Sequence, residues 1–499
     1  MKRESTCTHQ TGAVSRRGFI LGACGAVCSS TLLGCRASTG IGSLGLAGGP
    51  GPSCERRIKP VGPASRYTPT LQVAFVRRKE DYGIAWPGAI YDGAKALADY
   101  RAKIDSTARQ LGMNATIRTE PIYSEAEADA WLNQAKAAQS DGLLVVLLDR
   151  QQHAWPTAEK AVDSGIPTVV FAPIGAAFTI NTRGLAKRTG CLVCSTDDFS
   201  QVACGMKMLR AGAKLRETRC VVIAGNKRED KALKHLGMKL RFVPASEFVD
   251  EYNHTAETDE VKAIADDFIH RATKLSGPTR QDVLNGVKSY VVARSILERE
   301  EGDAITMDCL GALGPTKISL PCIAWSRMND HGVPAACEAD LGACATHALV
   351  QYLFDRPGFQ QDPVPETAND LLVGAHCSCP TKLAGFNEKP EPFYLSHHHG
   401  MRDAVPRTMW KPGERMTVVS VEPSNKDDAR PRMIISAGTV AGNIAVPPAG
   451  GCVVSVSVKL DGTTDLLAYP GFHQLFIYGD FAKELREYCN LFNLTPVVV

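Results

Sequence analysis

The sequence predicts an α/β protein with two successive open-sheet α/β domains, followed by a β-rich, antiparallel barrel-like C-terminal domain. Three observations predict it. The chain has 499 residues, about three domains' worth when a domain is typically one to two hundred residues. From residue 71 to 357 short apolar runs alternate with helical patterns, as in parallel strands joined by crossover helices. Beyond residue 358 the apolar runs become short and alternating, as in antiparallel strands with one buried face. The resulting boundaries are 1–35 for an export signal, 36–70 for a flexible linker, 71–187 and 188–357 for the α/β domains, and 358–499 for the β-rich domain.

In chain order, Leu71 to Val76 reads as a buried strand, Ala89 to Leu111 as a helix, Gly142 to Leu148 as a strand, Ala158 to Ser164 as a helix and Ile166 to Ala172 as a strand. No G-x-G-x-x-G follows the first strand, so a dinucleotide site is not supported. Cys220 to Ala224 and Asp303 to Met307 are strand-like, with helical patterns from Thr258 to Leu275 and from Gln281 to Glu300 between them. Leu341, Cys344, Ala345, Ala348, Leu349, Tyr352 and Leu353 form a 3,4-spaced face that Arg356-Pro357-Gly358 ends, which is a helix. Met416 to Val421, Arg432 to Ser436 and Cys452 to Val458 alternate as strands. A last helix, capped by Asp480, carries Phe481, Leu485, Tyr488, Cys489 and Phe492.

With 44% apolar and 22% charged residues, 44 glycines and 29 prolines, collagen-like, disordered and polytopic membrane classes are excluded. The net charge is +3, and Lys2, Arg3, Arg16 and Arg17 against Glu4 place all of it in the first 35 residues. A neutral body lacks the positive excess expected of a nucleic-acid partner. Ser15-Arg16-Arg17-Gly18-Phe19-Ile20 opens an uncharged run to Gly34, too short and too weakly apolar for a membrane span. The paired arginines resemble a twin-arginine export signal, and Leu32-Leu33-Gly34-Cys35 a lipoprotein box. The expected location is therefore periplasmic or membrane-anchored, touching the membrane only through a lipid on Cys35.

The 17 cysteines, odd in number once Cys7, Cys24, Cys28 and Cys35 of the leader are removed, do not form a secreted disulfide framework. They read as buried thiols, and Cys191-Leu-Val-Cys194 as packing rather than a zinc or redox motif. Glu338 reads as lying in the first turn of the helix beginning near Leu341, where capping alone would explain a carboxylate. Asp362 follows in a predicted loop, His376 ends the strand LLVGAH, and His473 sits at the edge of HQLFIY. Two carboxylates with one or two imidazoles suit Mn²⁺, Fe²⁺, Co²⁺ or Zn²⁺. His397, His398 and His399 read as a solvated loop, Asp308 as a strand-end cap or cleft residue, and His331 as a turn residue or substrate contact.

The run CEADLGA, then Asp362, then GAHCSCPTKL, then FHQLFIYGDFAKELREYC resembles the metal-site region of the L-fucose and L-arabinose isomerases. The resemblance covers roughly residues 71 to 499 and is strongest from about 330 onward. It implies that Glu338 and Asp362 match the two metal-binding carboxylates, His473 the C-terminal histidine ligand and His376 the further histidine of the arabinose branch. It also implies a divalent metal cofactor, manganese in this reading, a homo-oligomer, and conversion of a monosaccharide, a pentose or 6-deoxyhexose, from aldose to ketose through an enediol. In that isomerase chemistry Glu338 and Asp362 are the catalytic residues as well as ligands, exchanging protons with the substrate. The alternative is an exported sugar-binding lipoprotein on an isomerase-like scaffold without turnover, for which two adjacent metal carboxylates have no evident use. A metal-dependent hydrolase lacks supporting spacing such as H-E-x-x-H.

Overall fold

The computed structural model describes residues 58, 60–80, 83–85, 90–150, 152–398, 400–424, 429–445, 454–462 and 465–499. The export motif, the lipidation cysteine Cys35 and the other leader cysteines lie outside the described residues.

Residues with long apolar runs make the two parallel sheets. In the first, Gly142–Leu147 is buried at every position, because strands covered on both faces need no polar side. Its order is Asn114–Ile117, Thr70–Val76, Gly142–Leu147, Thr168–Ala172, Cys191–Ser195, every pair parallel. Helix Gly93–Gln110 starts where Asp92 accepts the Ala94 and Lys95 amides, and helix Phe199–Glu217 where Asp198 accepts that of Ser200; these caps satisfy orphan amides. The second sheet runs Ala335–Cys337, Ala304–Met307, Arg219–Ile223, Met238–Val243 in parallel, with Glu229–Leu233 antiparallel at its edge.

Beyond residue 358 six antiparallel strands close into a barrel. Around the ring stand Arg415–Glu422, Gln474–Tyr478, Phe359–Glu366, Leu371–His376, Val454–Leu460 and Arg432–Asn443, the last pairing back to the first. Alternation decides which side chains go inside. Phe359, Leu372, Met416, Val418, Val456, Phe476 and Tyr478 fill one core with Trp410. Out-of-phase neighbours Val419, Val421, Leu475 and Ile477 instead join the core that contains the first sheet and helix Leu341–Phe354. That helix is buried along most of its length and packs against both helix Phe199–Glu217 and strand Arg415–Glu422. It therefore fixes the barrel to the sheets, and the site forms at one end of it.

Candidate functional site

Glu338 is delivered by the short strand Ala335–Cys337. The chain reverses there, with Glu338 at φ 62° and Ala339 at φ 53°, two successive left-handed residues that cost about 1–2 kcal/mol each. The turn is held at both ends. Gln360 Oε1 accepts the Cys337 amide at 2.9 Å, and the Ala339 amide donates to the Met307 carbonyl at 2.8 Å. Helix Leu341–Phe354 begins only after it, with Asp340 as the cap accepting the Ala343 amide at 2.8 Å. This corrects the expectation that Glu338 lies in the helix's first turn: the helical carboxylate position belongs to Asp340, and Glu338 stands on the strained turn ahead of it.

Asp362 is also corrected, from loop to strand. It lies within Phe359–Glu366 and faces Ala375 across the ladder. Pro363 and Pro365 are tolerated in this strand because they fall where it pairs only with Leu371–His376, after the Gln474–Tyr478 ladder has ended at Gln361. One open side removes the need for every N–H. His376 ends its strand as expected, opposite Val454, and His473 directly precedes Gln474–Tyr478.

These four residues converge. His473 Nε2 lies 3.2 Å from Asp362 Oδ1 and 3.6 Å from Glu338 Oε2, while His376 Nε2 lies 3.7 Å from Glu338 Oε1. The two imidazoles are buried, whereas Glu338 and Asp362 keep 34% and 26% of their side chains exposed, so the carboxylates form the accessible rim. Asp340 does more than cap the helix. Its Oδ2 also accepts from His473 Nδ1 at 2.8 Å, which turns Nε2 toward the other two carboxylates. A histidine 133 positions away left no local trace of this partnership.

The electrostatics divide the two histidines. Burial works to lower His473, but contacts with Asp340 and Asp362 outweigh it and raise it to about 9. His376 is pushed down to about 4 by burial, with Asp362 only partly opposing. The Glu338 carboxyl is raised, chiefly by burial, with His473 opposing and Asp362 and Asp340 adding. Asp340 is lowered because its bond to His473 overrides the effect of burial. Three carboxylates thus surround His473, whose imidazole holds its proton without a metal; a cation bound at Nε2 takes that proton's place.

The donor set fits a divalent cation. Asp362 Oδ1 and His473 Nε2 are both buried and, apart from the 3.2 Å contact with each other, neither has a hydrogen-bond partner, which is costly for groups kept from water. Ligand atoms about 2.0–2.2 Å from one ion lie about 3–4 Å from one another, the range of the three contacts here. The ligating atoms of Glu338, His376 and His473 all fall within 4.8 Å of one another.

The other candidates do not join the ligand set, although Asp308 lies near enough to add to the raising of the Glu338 carboxyl. Asp308 caps helix Cys309–Leu313 through the Gly311 amide. His331 is the C-cap of helix Cys322–Asp330. His397 and His398 are buried in strand Phe393–His398, not in a solvated loop; His399 lies outside the described residues. Cys191 and Cys194 are buried free thiols, the packing role expected of them.

No family model matches this chain, and no curated protein matches it. Among solved structures, a solute-binding protein of an ABC transporter from Burkholderia multivorans, with an unknown ligand represented as alpha-D-erythrofuranose, is similar at 14% identity over 58% of this chain and 95% of its own, with a TM-score of 0.18. The aldose–ketose isomerase expected from the sequence is not kept: the solved structure named here is a solute-binding protein, and the binding alternative is the reading carried into the proposal. A TM-score of 0.18 carries nothing about fold, so the weight of that reading falls on the site.

Proposed function

We propose that this chain is a sugar-binding protein in which Glu338, Asp362, His473 and His376 hold a divalent cation, manganese in our reading, and in which a monosaccharide binds at the exposed carboxylate rim without turnover. The observation that carries it is the convergence of the buried atoms Asp362 Oδ1 and His473 Nε2, 3.2 Å apart and with no hydrogen-bond partner beyond each other, beneath the Glu338 carboxylate. A bound divalent cation supplies Lewis-acid attraction for neighbouring hydroxyl oxygens. The protein's own contribution is orientation: Asp340 fixes the His473 ring, the barrel fixes Asp362 and His376, and the strained turn presents Glu338. A binder therefore does have a use for adjacent metal carboxylates, because the cation holds the sugar. The reading includes the finer architecture expected from sequence, an isomerase-like scaffold whose two parallel sheets are separate domains at 71–187 and 188–357. It also includes export through Arg16-Arg17 with lipid attachment at Cys35.

Calorimetry with a panel of aldopentoses and 6-deoxyhexoses tests the proposal, on protein loaded with Mn²⁺ and on protein stripped by chelator. Saturable sugar binding is expected with Mn²⁺, lost on stripping and lost in Asp362→Asn. Absence of binding under Mn²⁺, or ketose accumulating in the mixture, overturns it. Among the described residues no helix is long and apolar enough to cross a membrane.

A further inference from the structure

A second group of ligating side chains lies on the other side of the His376 ring, whose Nδ1 is 3.5 Å from Cys377 Sγ. Three elements meet there. Cys322 is the first residue of helix Cys322–Asp330, Cys377 directly follows strand Leu371–His376, and His398 ends strand Phe393–His398. All three are buried, and their ligating atoms lie within 4.8 Å of one another. Cys337, with Sγ 3.0 Å from Ser378 Oγ, and Cys309 extend the thiol cluster. Every described cysteine is a free thiol.

We propose that Cys322, Cys377 and His398 form a second metal site, selective for zinc and distinct from the carboxylate site. Packing alone asks for none of these donors, since apolar residues of similar size fill a core equally well. The set is chemically self-consistent: two thiolates and a neutral imidazole cancel the charge of a divalent ion, so no net charge is buried. Cys322 opens a helix whose amide end suits a thiolate once a cation binds; without one, the Cys377 contact lowers the thiol but burial leaves it raised. Sulfur donors select zinc over manganese, whereas the oxygen-rich rim at Glu338 and Asp362 suits manganese. Cys377 also lies near Cys337 and His376, but Nε2 of that histidine already faces Glu338, which leaves Cys377 to the Cys322 group. The chain thus sorts two metals by donor chemistry on opposite sides of one imidazole ring.

Cobalt is the probe. Purified full-length chain, stripped of metal under reducing conditions, is titrated with Co²⁺ and then with Zn²⁺. A sulfur-to-cobalt charge-transfer absorption in the near ultraviolet is expected, bleached by Zn²⁺ and by no comparable amount of Mn²⁺. It persists in the double variant Glu338→Gln with Asp362→Asn, so its outcome is independent of the carboxylate site. It disappears in Cys322→Ala and in Cys377→Ala. Should those variants fail to fold, His398→Gln keeps the side chain's bulk and lowers zinc affinity at least about 10-fold, as loss of one ligand requires. Cobalt-loaded wild type without the absorption, or an unchanged cobalt affinity in His398→Gln titrated through the same absorption, overturns the proposal.

Discussion

Asp340 uses both carboxylate oxygens, and replacing it by serine separates what each one does. Oδ1 accepts the Ala343 amide and starts helix Leu341–Phe354, while Oδ2 accepts from His473 Nδ1. Asparagine cannot serve both, because its second atom is a donor. Serine keeps a good cap and leaves the histidine without its partner. Losing the hydrogen-bond partner of a metal-binding histidine typically lowers affinity about 10- to 100-fold, which is about 1.4–2.8 kcal/mol at 1.4 kcal/mol per factor of ten. We expect Asp340→Ser to lose Mn²⁺ affinity by that factor and, because it removes the His473 ion pair but keeps a cap, to lose only that pair's contribution to the stability of the metal-free protein. Asp340→Ala should lose the same affinity and a further ~1 kcal/mol of folding stability with the cap. Affinity is read from free Mn²⁺ by electron paramagnetic resonance, and stability from denaturant unfolding of metal-free protein. Wild-type Mn²⁺ affinity in Asp340→Ser would refute the role given to this carboxylate, and equal stability of the serine and alanine variants would refute its capping role.

His347 is buried with neither ring nitrogen hydrogen-bonded, and burial, with His376 adding, pushes it down from 6.5 to about 3. Because the unfolded chain takes up this proton first as pH falls, wild-type stability declines from pH 6.5 toward 3. His347→Leu should flatten that part of the curve and add ~1 kcal/mol; coincident acid limbs in unfolding experiments would defeat the idea. At Gly374 a Cβ would come within 2.5 Å of the Phe476 ring across the barrel, so Gly374→Ala should cost about 1–3 kcal/mol by overpacking, and an unchanged denaturation midpoint would show that the ring yields. Arg16→Lys with Arg17→Lys should trap precursor in the cytoplasm, and Cys35→Ala should abolish lipid attachment, both read by cell fractionation and mass spectrometry; mature protein exported normally from the double-lysine variant would rule out the twin-arginine route.

The elements that sequence exposes best are those with strong local signals. Gly142–Leu147 and Leu341–Phe354 stand close to where apolar runs and 3,4 spacing place them. Polar strands were harder. Asp362 sits between Gln361 and two prolines in a strand with one open side, so neither alternation nor composition marks it. Ser396, His397 and His398 look solvated because polarity is the local signal, yet all three are buried, and His398 lies beside the distant thiols Cys322 and Cys377. Glu338, Asp362, His376 and His473 were legible as residue types at strand ends, but their distances were not. The left-handed turn at Glu338 has no glycine to announce it, and the second oxygen of Asp340 is claimed by a residue on another strand.

The order in which the barrel ring is written along the chain governs when the site can exist. Glu338 and Asp362 leave the ribosome early, but His473 is carried in beside the last strand of the closed ring, Gln474–Tyr478. A growing chain therefore holds two facing carboxylates with no imidazolium between them, and their mutual repulsion disfavours the compact state until that strand arrives. Long-range closure of this kind is slow compared with local pairing. In the metal-binding reading proposed above, a divalent ion taken up before that strand arrives would relieve this repulsion, and its supply during synthesis is then expected to change yield.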